Sequence, residues 1–229
     1  KGGSAVDTIT AGAGADTITG NKGADVLKGV AGNDNIDGGA GADNIDGGAG
    51  ADTITGGAGD NVFVLTDGES TEAVMDIFKD FTAGAADADF DTLDMVLAAD
   101  LVFNTVAKAS AHDVTNHTTE TETGTVGAYI TNGVIKLTGT QTATVDTLAE
   151  WIDIAEDVAV NGYVDNGGSD AGAETVVAAF EFGGNTYVVM GDDADSDNTY
   201  ATEVVIMLEG TTGIDAISAT EALNTIHVA

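Results

Sequence analysis

The 229-residue chain has no cysteine, no proline and no arginine, and its 6 basic residues are all lysine. Each absence removes a class of function. Without cysteine there are no disulfides, thiolate metal sites or thiol nucleophiles. The missing disulfides do not fix the compartment, because metals can stabilise an exported protein as well. Six scattered lysines cannot build the basic face that releases counterions from nucleic-acid phosphates. Nor can they supply the polybasic segment that anionic membrane surfaces attract. No apolar run approaches the ~20 residues of a membrane-spanning helix, and no signal-peptide pattern is visible. The motifs H-E-x-x-H, G-x-S-x-G and the Walker loop are all missing, and only three histidines are present. No catalytic constellation is therefore expected.

What the chain has in excess is acid. The 39 Asp and Glu residues set the formal charge at −33. So much charge of one sign opposes compaction unless cations bind, which makes a multivalent cation the first expected partner. At 43% hydrophobic residues the chain still has enough apolar surface for a core. Its opening, KGGSAVDTIT, falls in mid-pattern and reads as a piece of something longer.

That pattern is an unbroken nine-residue repeat, GGSAVDTIT, AGAGADTIT, GNKGADVLK, GVAGNDNID, GGAGADNID, GGAGADTIT and GGAGDNVFV. Position six reads Asp7, Asp16, Asp25, Asp34, Asp43, Asp52 and Asn61, and position eight reads Ile9, Ile18, Leu27, Ile36, Ile45, Ile54 and Phe63. A flexible linker has no reason to hold an acid and a large apolar residue in fixed phase. Collagen is excluded because glycine does not recur every third residue. The physics favours stacked coils. Six glycine-rich residues form a turn, three form a short strand, and position eight points inward. One apolar residue in nine cannot bury itself alone, so two blocks make one coil of eighteen residues and neighbouring coils stack. Odd blocks then line one sheet and even blocks the other, and Lys28 and Asp46 face each other outside. The acids form two columns about 5 Å apart along each stack, a spacing that repels without positive charge between them. Carboxylate and carbonyl oxygens suit calcium, while magnesium demands stricter octahedral geometry.

GGAGADNID and GGAGADTIT resemble the glycine-rich nonapeptide of the RTX (repeats-in-toxin) family, GGxGxDxUx with U a large aliphatic. The resemblance implies a parallel β-roll in which each ion lies between one turn and the next but one. It pairs Asp7 with Asp25, Asp25 with Asp43, Asp16 with Asp34 and Asp34 with Asp52, and adds a fifth site at Asp43 and Asn61, giving about five ions in the roll. It assigns carbonyl ligands to turn residues such as Gly29, Ala31, Gly32, Gly38, Gly39, Ala40, Gly41, Gly47, Gly48, Ala49 and Gly50. Ala5, Asn21, Val30 and Asn61 depart from the pattern and weaken the sites beside them.

Residues 65–99 resemble the segment that closes such rolls, D-x-I-x-D-F-x-x-G-x-D-x-[IL]-D, with Asp80, Asp91 and Asp94 as candidates for a further ion. Beyond it, Asn132-Gly133 and Gly183-Gly184-Asn185 signal hairpins. Leu148, Trp151, Ile152, Ala155 and Val158 recur at helical spacing, with Trp151 as a core anchor. His112 and His117 lack a third ligand and read as solvated side chains. Asp193, Asp195 and Asp197 alternate like the start of an EF-hand loop and are candidate calcium ligands in the cap, although Asn198 and Val204 stand where such a loop has Gly and Glu.

The expected architecture is mainly β, a parallel β-roll over 1–64 followed by a β-sandwich-like C-terminal cap over 65–229 with one short helix. The resemblance, with the low-base C-terminal end, implies a calcium-binding, non-enzymatic C-terminal module that carries a type I secretion signal and folds outside the cell. Its partners are then calcium, the type I secretion machinery and, for an S-layer or adhesin-like surface protein of a Gram-negative-type bacterium, copies of itself in a lattice. In the same family the roll also follows catalytic domains of serralysin-like proteases, lipases and alginate epimerases, so an enzyme fragment is the alternative. A third reading makes the C-terminal part a carbohydrate-binding module with Trp151 as a platform.

Overall fold

A computed structural model of the chain describes residues 1–66, 69–71, 73–83, 91–96, 112–114, 126–131, 134–138, 148, 152, 175–192, 203–214, 217–220 and 225–228. The repeat region forms β1 (Thr8–Thr10), β2 (Thr17–Lys22), β3 (Val26–Ala31), β4 (Asn35–Ala40), β5 (Asn44–Ala49), β6 (Thr53–Ala58) and β7 (Val62–Thr66). Strands β1, β3, β5 and β7 pair in parallel in one sheet, and β2, β4 and β6 in the other. Ile9 lies beside Leu27, Leu27 beside Ile45 and Ile45 beside Phe63, while Ile18 lies beside Ile36 and Ile36 beside Ile54. Every partner is two blocks away, so the coil is the two-block coil expected from the repeat. Leu27, Ile36, Ile45 and Phe63 are all fully enclosed. Strand alternation sends position nine the other way, and Lys28 Nζ meets Asp46 Oδ2 at 2.9 Å on the outer face.

One feature of the coil differs from expectation. Strands β2 to β6 each run six residues, not three. The first three residues of the next block also stack, because Gly23, Gly32 and Gly41 donate their amides to the carbonyls of Ala40, Ala49 and Ala58 at 2.8–2.9 Å. The turn proper shrinks to positions four to six. Bending the strand at position two requires a left-handed backbone, with φ of 103° at Gly39 and 86° at Gly48. Asn21 (φ 79°) and Val30 (φ 90°) adopt the same conformation without being glycine. Asparagine tolerates it, whereas a β-branched valine is strained there.

Both sheets continue beyond residue 64. Strand β8 (Asp76–Phe78) adds to β6, and β9 (Thr92–Val96) adds to β7, both in parallel. The first sheet runs on through β17 (Thr225–Val228) to β16 (Ile217–Thr220). The second runs from β8 through β15 (Glu203–Leu208), β14 (Asn185–Asp192), β13 (Thr175–Phe182), β12 (Val134–Thr138) and β11 (Val126–Thr131) to β10 (His112–Val114). Both signalled hairpins form. β11 and β12 pair antiparallel across two residues, and β13 and β14 join through Gly183 and Gly184 at φ 61° and 87°. Phe63 packs against Phe78 and Phe81 in tilted contacts, with ring centroids 4.8 and 5.9 Å apart, and continues the aliphatic column of the roll. The same core extends to Val188, Ile206 and Leu208. Among the described residues helix is confined to Leu148 and Ile152, of which Ile152 is buried. Trp151 and His117 lie outside the described residues, as do Asn132 and Gly133. The architecture is mainly β, a parallel roll whose sheets are continued by the C-terminal strands.

Candidate metal centre

The position-six residues form two ladders along the edges of the roll. In one, the Asp7 amide donates to Asp25 Oδ1 at 2.7 Å, Asp25 to Asp43 Oδ1 at 2.8 Å and Asp43 to Asn61 Oδ1 at 3.1 Å. In the other, Asp16 donates to Asp34 Oδ1 at 2.8 Å and Asp34 to Asp52 Oδ1 at 2.7 Å. The residue pairing is the one expected from the eighteen-residue coil. Each carboxylate thus uses one oxygen to hold the coil before it. The next residue completes the step, as when the Asn44 amide donates to the Asp25 carbonyl at 2.8 Å.

The second oxygen has no such partner. The Oδ2 atoms of Asp25, Asp34, Asp43 and Asp52 are buried and accept no hydrogen bond, and the four residues are at most 2% exposed. An unpaired buried carboxylate oxygen is costly. Each points to the first glycine of its own block, and those of Asp25, Asp34 and Asp43 lie there beside a carbonyl from two blocks on. A methyl group on Gly38 would sit 2.5 Å from the Gly56 carbonyl oxygen and 2.6 Å from Asp43 Oδ2. Gly29 lies in the same way between Asp34 Oδ2 and the Gly47 carbonyl, and Gly20 between Asp25 Oδ2 and the Gly38 carbonyl. Carboxylate and carbonyl oxygens therefore converge on a space that only glycine leaves free. Two acceptors facing each other without a donor are satisfied by a cation, and an all-oxygen set suits calcium. Among the described residues no three His, Cys, Asp or Glu side chains converge, so a cation here would draw mostly on turn carbonyls. Burial pushes the Asp43 carboxyl above its ordinary range and holds Asp52 up at about 6.

Asp7 and Asp16, at the first coil, are only half-buried. Of the expected carbonyl ligands, Gly38 and Gly47 border the spaces just described. Gly29, with its neighbour Asp34, forms the wall of one. The Ala31, Ala40 and Ala49 carbonyls each accept an amide from a stacked turn, from Gly14, Gly23 and Gly32. Gly32, Gly41 and Gly50 take positive φ at position four, and Gly39 and Gly48 do so at position two.

The ladders do not stop with the repeat. Asp52 donates its amide to Asp76 Oδ1 at 2.8 Å, and Asn61 donates to Asp91 Oδ1 at 3.1 Å. Asp76 and Asp91 thus occupy position six of two further steps, and Phe78 and Leu93 occupy position eight beside Ile54 and Phe63. Asp91 was expected among the site residues; Asp76 was missed. Its signal is the surviving triplet Asp76-Ile77-Phe78, offset from the nine-residue period by an insertion. Burial holds the Asp76 carboxyl up at about 8 and also raises Asp91 and Asp94.

The structure does not gather Asp80, Asp91 and Asp94 around one point. Asp91 Oδ2 accepts the Thr82 amide at 2.8 Å. Asp94 lies at position nine, opposite Val64. Asp80 accepts the amides of Gly56 and Gly57, one on each oxygen, both at 2.8 Å. Asn61 also departs from the aspartates, because its Nδ2 donates to the carbonyls of Gly59 at 3.0 Å and Gly57 at 3.5 Å. Asp193, Asp195 and Asp197 lie outside the described residues.

Residues 1–36 and 28–63 match the RTX calcium-binding nonapeptide repeat in four copies. No curated protein matches the chain. Among solved structures it is similar to the AlgE6R3 subunit of the Azotobacter vinelandii mannuronan C5-epimerase. That similarity spans 96% of this chain and 91% of the other at 17% identity, with a TM-score of 0.21, so the fold rests on the strand register described above. The repeat match, the eighteen-residue coil and the two aspartate ladders agree that residues 1–63 are a β-roll of RTX calcium-binding nonapeptide repeats.

Proposed function

We propose that the chain is a calcium-dependent, non-enzymatic C-terminal module of a type I-secreted bacterial surface protein, of the S-layer or adhesin kind. The observation that carries the calcium part is the set of four buried, unpartnered Oδ2 atoms, three of which, those of Asp25, Asp34 and Asp43, face a turn carbonyl. In this reading ions lie between turns at the pairs Asp7/Asp25, Asp25/Asp43, Asp16/Asp34 and Asp34/Asp52. Turn carbonyls such as those of Gly38 and Gly47 complete each shell. Bound calcium supplies the positive charge that the stacked carboxylates lack.

The residues themselves make folding conditional. Each block from the second on buries its position-eight side chain, and the blocks carry glycines, which lose the most backbone freedom on folding. The −33 charge adds repulsion. Where calcium is scarce, as in a bacterial cytosol, the repeat stays open and can be threaded through an export channel. Outside, each site adds stability that grows with the logarithm of free calcium, about 4 kcal/mol at a thousandfold excess over Kd. Residues 65–229 then act as a cap, since β8 and β9 offer the roll a ready edge on each sheet. The shortage of Pro, Cys and Arg beside much Thr, Ala and Asp supports the surface-protein assignment.

Export from a bacterial host carrying a type I exporter tests the proposal. The full chain should reach the medium and bind calcium there, and a chain lacking residues 170–229 should remain inside. Equal export of both would remove the secretion role and leave the calcium role standing.

A further inference from the structure

The seventh turn, residues 56–61, is the one turn of the repeat with asparagine at position six. Its geometry departs from the others in a consistent way. Asn61 Oδ1 accepts the Asp43 amide as the aspartates do for their own partners. A methyl group on Gly56 would lie 2.6 Å from Asn61 Nδ2, the place that Oδ2 takes beside Gly20, Gly29, Gly38 and Gly47. There the oxygens of Asp25, Asp34, Asp43 and Asp52 lack a partner. Asn61 Nδ2 has two, the carbonyls of Gly59 and Gly57. The amides of the same turn are also held, Gly56 and Gly57 by the two oxygens of Asp80.

We infer that the Asn61 amide takes the place of an ion at the seventh turn, which closes without calcium while the turns before it require it. The Nδ2 hydrogens bring positive charge to the carbonyls that a cation would otherwise draw together, and Asp80 brings negative charge to the amides. A carboxylate at position 61 can do only half of this, because it has no hydrogen to donate. The expected fifth site is therefore left with Asp43 Oδ2 and the Gly56 carbonyl and takes no ligand from the Asn61 amide nitrogen. The roll instead meets β8 and β9 through a turn already ordered, on which the calcium-dependent coils stack. The inference rests on the calcium reading of the aspartate turns.

The test compares the full chain with Asn61→Asp and Asn61→Ala. Native mass spectrometry in saturating calcium counts ions, and hydrogen exchange in chelator reads the amides of residues 56–62 against those of 38–43. The Asp variant should bind one ion more than the parent, and the Ala variant the same number as the parent. In chelator the parent should protect 56–62 about tenfold or more above 38–43, as one retained hydrogen bond implies, and both variants should lose that difference. An unchanged ion count in Asn61→Asp, or equal exchange of the two turns in the parent, overturns the inference. A parent that binds no calcium overturns the calcium reading itself.

Discussion

The Asp34 amide donates to Asp52 Oδ1 at 2.7 Å, yet Asp34's own Oδ2, in a residue 2% exposed, accepts nothing. Asp34 Oδ1 meanwhile accepts the Asp16 amide at 2.8 Å. Asp34 thus links three coils and holds one unsatisfied oxygen at their centre. Asp7 is half-buried and has a coil on one side.

Asp34→Ala should therefore cost more calcium affinity than Asp7→Ala. If Asp34 serves two ions, its loss removes or weakens two sites, and Asp7→Ala weakens one. Calorimetric titration of the two variants checks this. Equal losses would argue against shared ions.

Val30 holds φ at 90° and is 46% exposed, so it bears backbone strain and buries little in return. Val30→Gly should stabilise the calcium-loaded roll by about 1 kcal/mol, strain relief of ~1–3 kcal/mol less the entropy cost of glycine. Asn21→Gly should bring no such gain, because asparagine tolerates the conformation and its Nδ2 donates to the Gly2 carbonyl at 2.8 Å. Urea unfolding in saturating calcium compares the two.

These two residues also mark how much of the roll was legible. A strict period of nine fixes which residues stack, so the coil, the inward column and the aspartate pairs could be read directly. Asn21 and Val30 stood out because they replace glycine in that period. Asp76 escaped because extra residues separate it from Asp52, although its triplet keeps the repeat's form. The hairpins were legible from their turn residues. The pairing of β8 with β15 and of β9 with β17 was not, since alternation gives a strand its faces but not its neighbour. The Asn61 hydrogen bonds were hidden for another reason. The sequence shows a missing carboxylate, and only the geometry shows what the amide does in its place.

The outer pair Lys28–Asp46, at 2.9 Å with the lysine side chain 49% exposed, should contribute ~0.2–1 kcal/mol. A double-mutant cycle with Lys28→Ala and Asp46→Ala should return a coupling in that range, shrinking at high salt. A coupling of several kcal/mol would mean that the pair is far less solvated than its exposure indicates.

Proton binding should partly replace calcium in the metal-free protein. Burial holds Asp52 up at about 6 and Asp76 at about 8, against an ordinary 3.8. The unfolded chain releases those protons near pH 4, while the folded chain keeps them to pH 6 and 8. Between these limits the unfolded state binds fewer protons, so stability falls as pH rises. With chelator present, the urea midpoint should be highest near pH 4 and decline toward pH 8. With calcium the trend should weaken or reverse, because the ion needs the deprotonated carboxylate. A metal-free midpoint that climbs from pH 4 to pH 8 contradicts the assignment.

Circular dichroism of the full chain at neutral pH, first in chelator and then in millimolar calcium, tests the account most directly. The β signal of the repeat should be weak in chelator and appear on adding calcium, with magnesium far less effective. A full β spectrum in chelator, unchanged by calcium, would contradict it and leave the two aspartate ladders without a role in folding.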